Sequence, residues 1–161
     1  MDTVKFIIEN YIDEENGFCF PTINIYINDI NLIDLVERVE QRERILRGEK
    51  PLRAEYIGLE PHSRYFEEFL ALHKRPNSIL LTCTCTVEMC NCIMAKISID
   101  AQTVTWSELK SPWLGGRTPS PWVTVEEAQE GDWAPIDYSG LGPFVFDREQ
   151  YMDALNKIIA A

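Results

Sequence analysis

The feature that most constrains the fold is a change of hydrophobic period near residue 30. Within 22–27, isoleucines alternate with polar residues, a two-residue period typical of a strand with one buried face. After a polar turn at Asn28 and Asp29, apolar residues recur at helical spacing within 32–46, with Asn31 placed to cap the helix. A chain that switches period over so few residues predicts a mixed α and β fold.

The same criteria extend this pattern along the chain. We predict further strands at 4–12, 79–85, 90–99 and 103–109, a second helix at 61–73 and a final helix at 147–159. Asp147 and Gln150 have the spacing of a capping box at the start of the final helix. The predicted order is β-β-α-α-β-β-β-α, and strands that follow strands favour antiparallel pairing. We therefore expect an α+β fold with one antiparallel sheet of about five strands and three helices, in a single domain of residues 1–161.

The charge of the chain limits its partners. Fifteen basic residues stand against 26 acidic ones, a net charge of −11, which argues against a nucleic-acid binder and suits either a basic protein partner or simple solubility. No stretch approaches the roughly 20 apolar residues of a spanning helix, and the first ten residues lack the features of a secretion signal. We expect a cytoplasmic protein with no membrane partner and with reduced thiols.

Residues 111–143 are unlike the rest of the chain. They hold five of the eight glycines, five of the nine prolines, and the tryptophans Trp113, Trp122 and Trp133. So long a connection is unusual within a compact domain and is often functional. The tryptophans are candidate partner anchors, with Asp132 and Asp137 as polar anchors beside them. Alternatively, the tryptophans fold back over a sheet edge and the aspartates cap turns.

Four cysteines form a C-x-C-x₄-C-x-C pattern on a predicted hairpin: Cys83, Cys85, Cys90 and Cys92. If the strands pair so that all four thiols share one face, they have the number and chemistry of a zinc site. Matching the apolar faces instead sets odd residues opposite odd ones, for example Leu81 opposite Ala95, and separates the two pairs of thiols. Packing in the core, zinc binding and redox chemistry therefore stay open as alternatives.

No catalytic constellation stands out. The chain has two histidines, His62 and His73, and a helix would hold them about 16 Å apart, too far to ligate one ion. A nucleophile beside a histidine and a carboxylate is not indicated, nor is a phosphate-binding loop. An enzyme whose site lies under the 111–143 segment, acting as a lid, is kept as an alternative.

The segment from Asp137 to Arg148 reads Asp-Tyr-Ser-Gly-Leu-Gly-Pro-Phe-Val-Phe-Asp-Arg. It resembles the C-terminal signature of a family of uncharacterised bacterial proteins, which also carry a C-x-C…C hairpin and a Val-Thr-Trp strand like the one at 104–106. The resemblance covers roughly the second half of the chain. It implies a bacterial source and brings no activity with it. Cys92 departs from the family pattern, which weakens the zinc alternative.

Together these features predict a non-enzymatic protein-binding module. One concrete form is an acidic inhibitor of the immunity type that meets a basic toxin through charge-steered association. A small domain stabilised by zinc at the four cysteines and an enzyme with a site under the 111–143 segment are the alternatives.

Overall fold

Two antiparallel sheets and two helices make up the part of the chain that the structure describes. The computed structural model describes residues 1–46, 56–61, 77–84, 92–111 and 136–161. In chain order the elements are β1 (Val4–Asp13), β2 (Phe18–Ile27), β3 (Ile30–Asn31), α1 (Leu32–Leu46), β4 (Tyr56–Ile57), β5 (Asn77–Cys83), β6 (Ile93–Ile99), β7 (Thr103–Lys110), β8 (Phe144–Asp147) and α2 (Arg148–Ile159).

The first sheet is a long hairpin with a short third strand, in the order β1-β2-β3. β1 and β2 pair over ten residues without a register shift, from Val4 opposite Ile27 to Asp13 opposite Phe18. The alternating isoleucines of β2 are buried near its end because that face is turned to the core.

The second sheet has the order β4-β5-β6-β7-β8. Its β5–β6 pair contains a bulge: Ile79 lies opposite Met94, but Leu81 lies opposite Ile93, so that Leu80 is the extra residue. All three of these β5 residues are buried. A bulge of this kind lets consecutive apolar residues enter the core, which strict alternation forbids.

Two isolated bridges join the sheets at both ends. Asp2, just before β1, bridges Phe146 of β8 in parallel, and Ile23 of β2 bridges Leu59, just after β4. The two sheets are therefore connected at two places, between the start of β1 and β8 and between β2 and the residue just after β4. Gly58 permits the second bridge, because a Cβ at that position would overlap the carbonyl group of Ile23.

Both helices are capped by side chains that the sequence identifies. Asn31 Oδ1 accepts a hydrogen bond of 2.9 Å from the Ile33 N–H at the start of α1. Asp147 Oδ1 accepts from the Gln150 N–H, also at 2.9 Å, at the start of α2. The Gln150 side chain does not complete the predicted capping box. Its Nε2 donates to the Val4 carbonyl at 2.8 Å, so it ties α2 to β1.

One hydrophobic core cluster contains residues from both sheets and both helices. At its centre Trp106 of β7 is fully buried, and its ring makes edge contacts with Phe146 and Tyr151 at centroid distances of 5.1 and 5.9 Å. Such aromatic packing binds α2 to both sheets, since Phe6 of β1 also lies 6.1 Å from the Tyr151 ring.

The α+β fold with antiparallel pairing is confirmed, but its finer description needs correction. The described residues form two sheets of three and five strands, not one sheet of about five, because the bridges and not a continuous ladder connect the β1–β2 hairpin to the rest. They contain two helices, not three. The predicted helix at 61–73 falls almost entirely outside the described residues, and β8 was not predicted because four residues carry little periodicity.

No helix of the described ranges is both long and apolar enough to cross a membrane.

Candidate functional site

The β1–β2 hairpin reaches beyond the core and exposes apolar side chains there. Four of the nine large exposed hydrophobic residues of the described chain lie between residues 7 and 18: Ile7, Ile8, Ile12 and Phe18. Ile12 is the most exposed of these four residues, with 63% of its surface exposed. We call residues 7–21 the hairpin tip. A cluster of this kind on a protein surface commonly marks an interaction site.

The two faces of the hairpin tip differ in chemistry. One face carries Ile8 and Ile12, and Ile23 and Cys19 lie opposite them on the neighbouring strand. The other face carries an aromatic stack: Tyr11 lies opposite Phe20 with ring centroids 5.4 Å apart, and Phe18 stacks on Phe20 at 6.0 Å. Rigid aromatic rings at a surface are efficient contact residues, because little side-chain entropy is lost on binding.

The stretch that includes the hairpin tip carries charges of one sign only. Between Lys5 and Arg38 the sequence has no basic residue, whereas the hairpin tip alone holds Glu9, Asp13, Glu14 and Glu15. Glu9 accepts a hydrogen bond of 2.6 Å from the Tyr26 hydroxyl. Hydrogen bonds from the Asn16 side chain and backbone hold the pKa of Asp13 below its ordinary value, so this carboxylate stays charged in mildly acidic solution.

The outer edge of β1 is covered at its start and open at its tip. The Asp2 N–H donates to Val145 of β8 at 2.8 Å, and the Val4 backbone bonds to the side-chain amide of Gln150. Because strand residues alternate in the direction of their backbone groups, Ile8, Asn10 and Ile12 point their N–H and C=O groups the same way. Within the described residues, these groups have no hydrogen-bond partner.

A second feature is a buried carboxylate that holds two tyrosines. Glu40 of α1 is only 6% exposed, and its Oε1 accepts from the hydroxyls of Tyr56 at 2.6 Å and Tyr138 at 2.7 Å. Burial raises the pKa of Glu40, and the two hydrogen bonds oppose that rise. Burial and the nearby Glu40 charge raise the pKa of Tyr138 as well. The arrangement connects α1, β4 and the chain after residue 136, a structural role that needs no ligand.

Beside Tyr138 lies a cavity of about 550 Å³. Leu109, Ile136, Leu141 and Pro143 supply its apolar lining; Ser107, Glu108, Lys110, Asp137 and Ser139 are the polar residues around it. A β-bulge lies at this wall, where Glu108 and Leu109 of β7 lie opposite the single residue Ala95 of β6, and Glu108 has a φ of 52°, in the left-handed region. Non-glycine residues in that region and β-bulges are enriched at functional sites. The cavity is therefore a second candidate site.

Only one of the predicted partner-binding residues lies in the described ranges. Asp137 is exposed, and its Oδ1 accepts from the Ser139 N–H at 2.9 Å, so it caps a turn. The hydrogen bonds of Ser139 lower the pKa of Asp137. Trp113, Trp122, Trp133 and Asp132 lie outside the described residues, and their role as partner contacts stays a prediction. The C-terminal end of the 111–143 segment packs into the core through Ile136, Tyr138 and Leu141.

Two of the four hairpin cysteines are described, and both are buried. Cys83 is 7% exposed and Cys92 is 1% exposed, and burial raises the pKa of the Cys92 thiol to about 11. Leu81 pairs with Ile93 and not with Ala95, but an odd residue still lies opposite an odd one there, as the matching of apolar faces requires. Since Cys83 shares a face with Leu81 while Cys92 is adjacent to Ile93, strand alternation sends the two thiols to opposite faces, which weighs against a four-thiol site.

Cys85 and Cys90 lie outside the described residues, and within those residues no group of three potential metal ligands occurs. The zinc site therefore stays a prediction. Metal analysis of untagged protein tests it: less than about a tenth of an equivalent of zinc would remove it, because a closed cysteine site binds zinc tightly.

Sequence reasoning missed both the buried carboxylate and the hairpin tip. Glu40 lies among many charged residues of α1 and therefore resembles part of a solvated face, although its spacing of four from Val36, itself four from Leu32, places it on the buried face. The strand pattern of β1 does continue to Ile12, but nothing in that pattern reveals that the core ends near Phe6.

Comparison with family models, with curated proteins and with solved structures finds no match for this chain.

Proposed function

We propose that this protein is a non-enzymatic protein-binding module that docks a basic partner protein on the hairpin tip. The observation that supports this most directly is the coincidence of exposed apolar residues, here Ile12 and Phe18, with four carboxylates and no basic residue in the same stretch. Apolar surface supplies binding free energy, and charge of one sign speeds association with a partner of the other sign.

The charge of the whole chain supports the same proposal. A net charge of −11 attracts a basic protein from a distance, and the hairpin tip then presents the apolar contact surface. An immunity-type inhibitor of a basic toxin is one protein of this description. Trp113, Trp122 and Trp133 are proposed as further partner contacts.

The experiment is affinity purification from a bacterial lysate, followed by reconstitution with the purified partner. The test variant is Ile12→Lys with Phe18→Lys. The matched control is Ile45→Lys with Ile159→Lys, which adds the same charge at two exposed apolar residues of the helices. We expect the wild type and the control to bind a basic protein with equal affinity, and the test variant to bind it at least about tenfold more weakly.

Two results would contradict the proposal. One is equal binding of the partner by the test and control variants, which would remove the hairpin tip as the docking surface. The other is a partner that is not basic, or whose affinity does not fall as ionic strength rises. A third variant, with Trp113, Trp122 and Trp133 changed to Ala, shows whether the tryptophans contribute to the same complex.

The cavity beside Tyr138 favours a second candidate function, the binding of a small molecule. Its volume, and a lining in which apolar side chains lie beside several polar ones, are compatible with a ligand site. Ser139→Trp should obstruct the cavity, and Ser98→Trp, at an exposed position on β6, is the matched control. A metabolite mixture that raises the melting temperature of the wild type and of the control, but not of Ser139→Trp, would establish the site; equal shifts in all three would remove it.

A further inference from the structure

We infer that the partner binds by adding a strand to the open edge of β1, and that its bound segment alternates basic and apolar side chains. This inference rests on the proposed function and specifies the chemistry of the partner. It depends on three observations: the open backbone edge, the different chemistry of the two hairpin faces, and the absence of a lysine, a proline, a bulge or a covering element from that edge in the described part of the chain.

The open edge follows from the alternation of β1. Thr3 bonds towards β2 through Asn28, whereas the backbone groups of Asp2 and Val4 point away from β2, to β8 and to Gln150. Pro21 of β2, which has no N–H, lies opposite Asn10, as a pair without mutual hydrogen bonds allows. Ile8, Asn10 and Ile12 therefore present their backbone groups at the outer edge of the hairpin.

Within the described residues, the edge from Ile8 to Ile12 carries one charged side chain, Glu9, and none of the stronger features that usually protect an edge strand. An exposed edge strand is commonly blocked by a lysine, a proline or a bulge, or is covered by another element. At its start, β1 is covered by β8 and by the Gln150 amide. From Ile8 to Ile12 it has no lysine or proline, and its pairing with β2 shows no register shift. Such an edge is a template for an added strand.

The side chains of the hairpin tip specify the pattern of that strand. Alternate residues of an added strand lie beside Ile8 and Ile12 on one face and beside Glu9, Tyr11 and Asp13 on the other. Apolar residues match the first face. Basic residues match the second, where arginine also stacks on an aromatic ring. The expected ligand is therefore a segment in which arginine or lysine alternates with valine, isoleucine or leucine.

The probe is a fluorescein-labelled peptide of alternating arginine and valine, acetylated and amidated, and its binding to the full chain is measured by fluorescence anisotropy. A second peptide has the same composition with the arginines and valines in separate blocks. We expect the alternating peptide to bind at least about tenfold more tightly, because only an alternating strand satisfies both faces at once. Equal affinity of the two peptides would overturn the inference.

Backbone pairing is tested separately from side-chain chemistry. Asn10→Pro removes an outward N–H that makes no hydrogen bond within the hairpin, and Asn10→Ala is its matched control. We expect Asn10→Pro to bind the alternating peptide at least about tenfold more weakly and Asn10→Ala to stay within about twofold of the wild type. Equal binding by both variants would overturn strand addition.

A pair of modified peptides keeps the test independent of any protein variant. Each is N-methylated at every second residue, and the two differ in which set is blocked, so one of them must lose binding if the backbone pairs. Retention of affinity by both would overturn the inference. If strand addition fails while capture of the natural partner still depends on Ile12 and Phe18, the proposed function stands without it; if that capture is independent of both residues, the proposed function itself fails.

Discussion

Replacement of Glu40 by Leu is expected to destabilise the protein strongly, because it removes the carboxylate that accepts hydrogen bonds from two buried tyrosine hydroxyls. Glu40 Oε1 accepts from Tyr56 and Tyr138, and all three residues are buried, so water cannot readily take its place. An orphaned buried donor costs about 1–3 kcal/mol, which gives about 2–6 kcal/mol for two. Burial disfavours the Glu40 charge, and removal of the carboxylate returns part of that cost. We expect a loss of about 2–4 kcal/mol.

The compensating variant distinguishes orphaned hydroxyls from a simple packing defect. With Glu40→Leu in place, Tyr56→Phe and Tyr138→Phe remove both donors along with their acceptor, which is often nearly neutral. The triple variant should therefore regain most of the lost stability. A residual loss of about 1 kcal/mol is expected, because the backbone of Ser111 also hydrogen-bonds to the Tyr138 hydroxyl.

Urea unfolding measures both variants, with the dependence of the unfolding free energy on urea as a check that the transition stays two-state. A loss below about 0.5 kcal/mol for Glu40→Leu would refute the reasoning, since that is the range of an ordinary surface substitution. A triple variant as unstable as Glu40→Leu alone would show that packing, not hydrogen bonding, sets the cost.

Because burial raises the Glu40 pKa above its ordinary 4.5, the folded protein keeps this proton after the unfolded chain releases it. The Glu40 contribution to stability is full below about pH 4.5 and is lost as pH rises through the folded pKa. The unfolding free energy of the wild type should therefore fall relative to that of Glu40→Leu as pH rises, and a constant difference between the two would contradict this. Gln150→Ala should cost about 1–3 kcal/mol in urea unfolding by orphaning the Val4 backbone, and a change below about 0.5 kcal/mol would contradict this. Iodoacetamide at pH 8 should label exposed Cys19 well before buried Cys92, whose thiol pKa is about 11; equal rates by mass spectrometry would contradict the burial of Cys92.

Much of the local structure was predictable because it depends on short spacings. The predicted strand at 4–12 is observed as Val4–Asp13, and the predicted helix at 147–159 as Arg148–Ile159 with Asp147 as its cap. Both predictions depend on the spacing of residues that are close together in the chain, either as hydrophobic periodicity or as a helix cap. The hairpin tip was not predictable in this way, because β1 has the same alternation where it is buried and where it is exposed.

By itself, the sequence determined the α+β class, the antiparallel pairing, the helix caps and the acidic charge, since each depends on neighbours along the chain or on composition. Only the tertiary structure decided the division into two bridged sheets, the burial of Glu40 and the open edge from Ile8 to Ile12. The physical reason is that these features depend on which distant segments meet. A strand edge is open or closed according to what lies beside it, and a carboxylate in a helix is a surface charge or a buried acceptor according to whether tyrosines from elsewhere reach it.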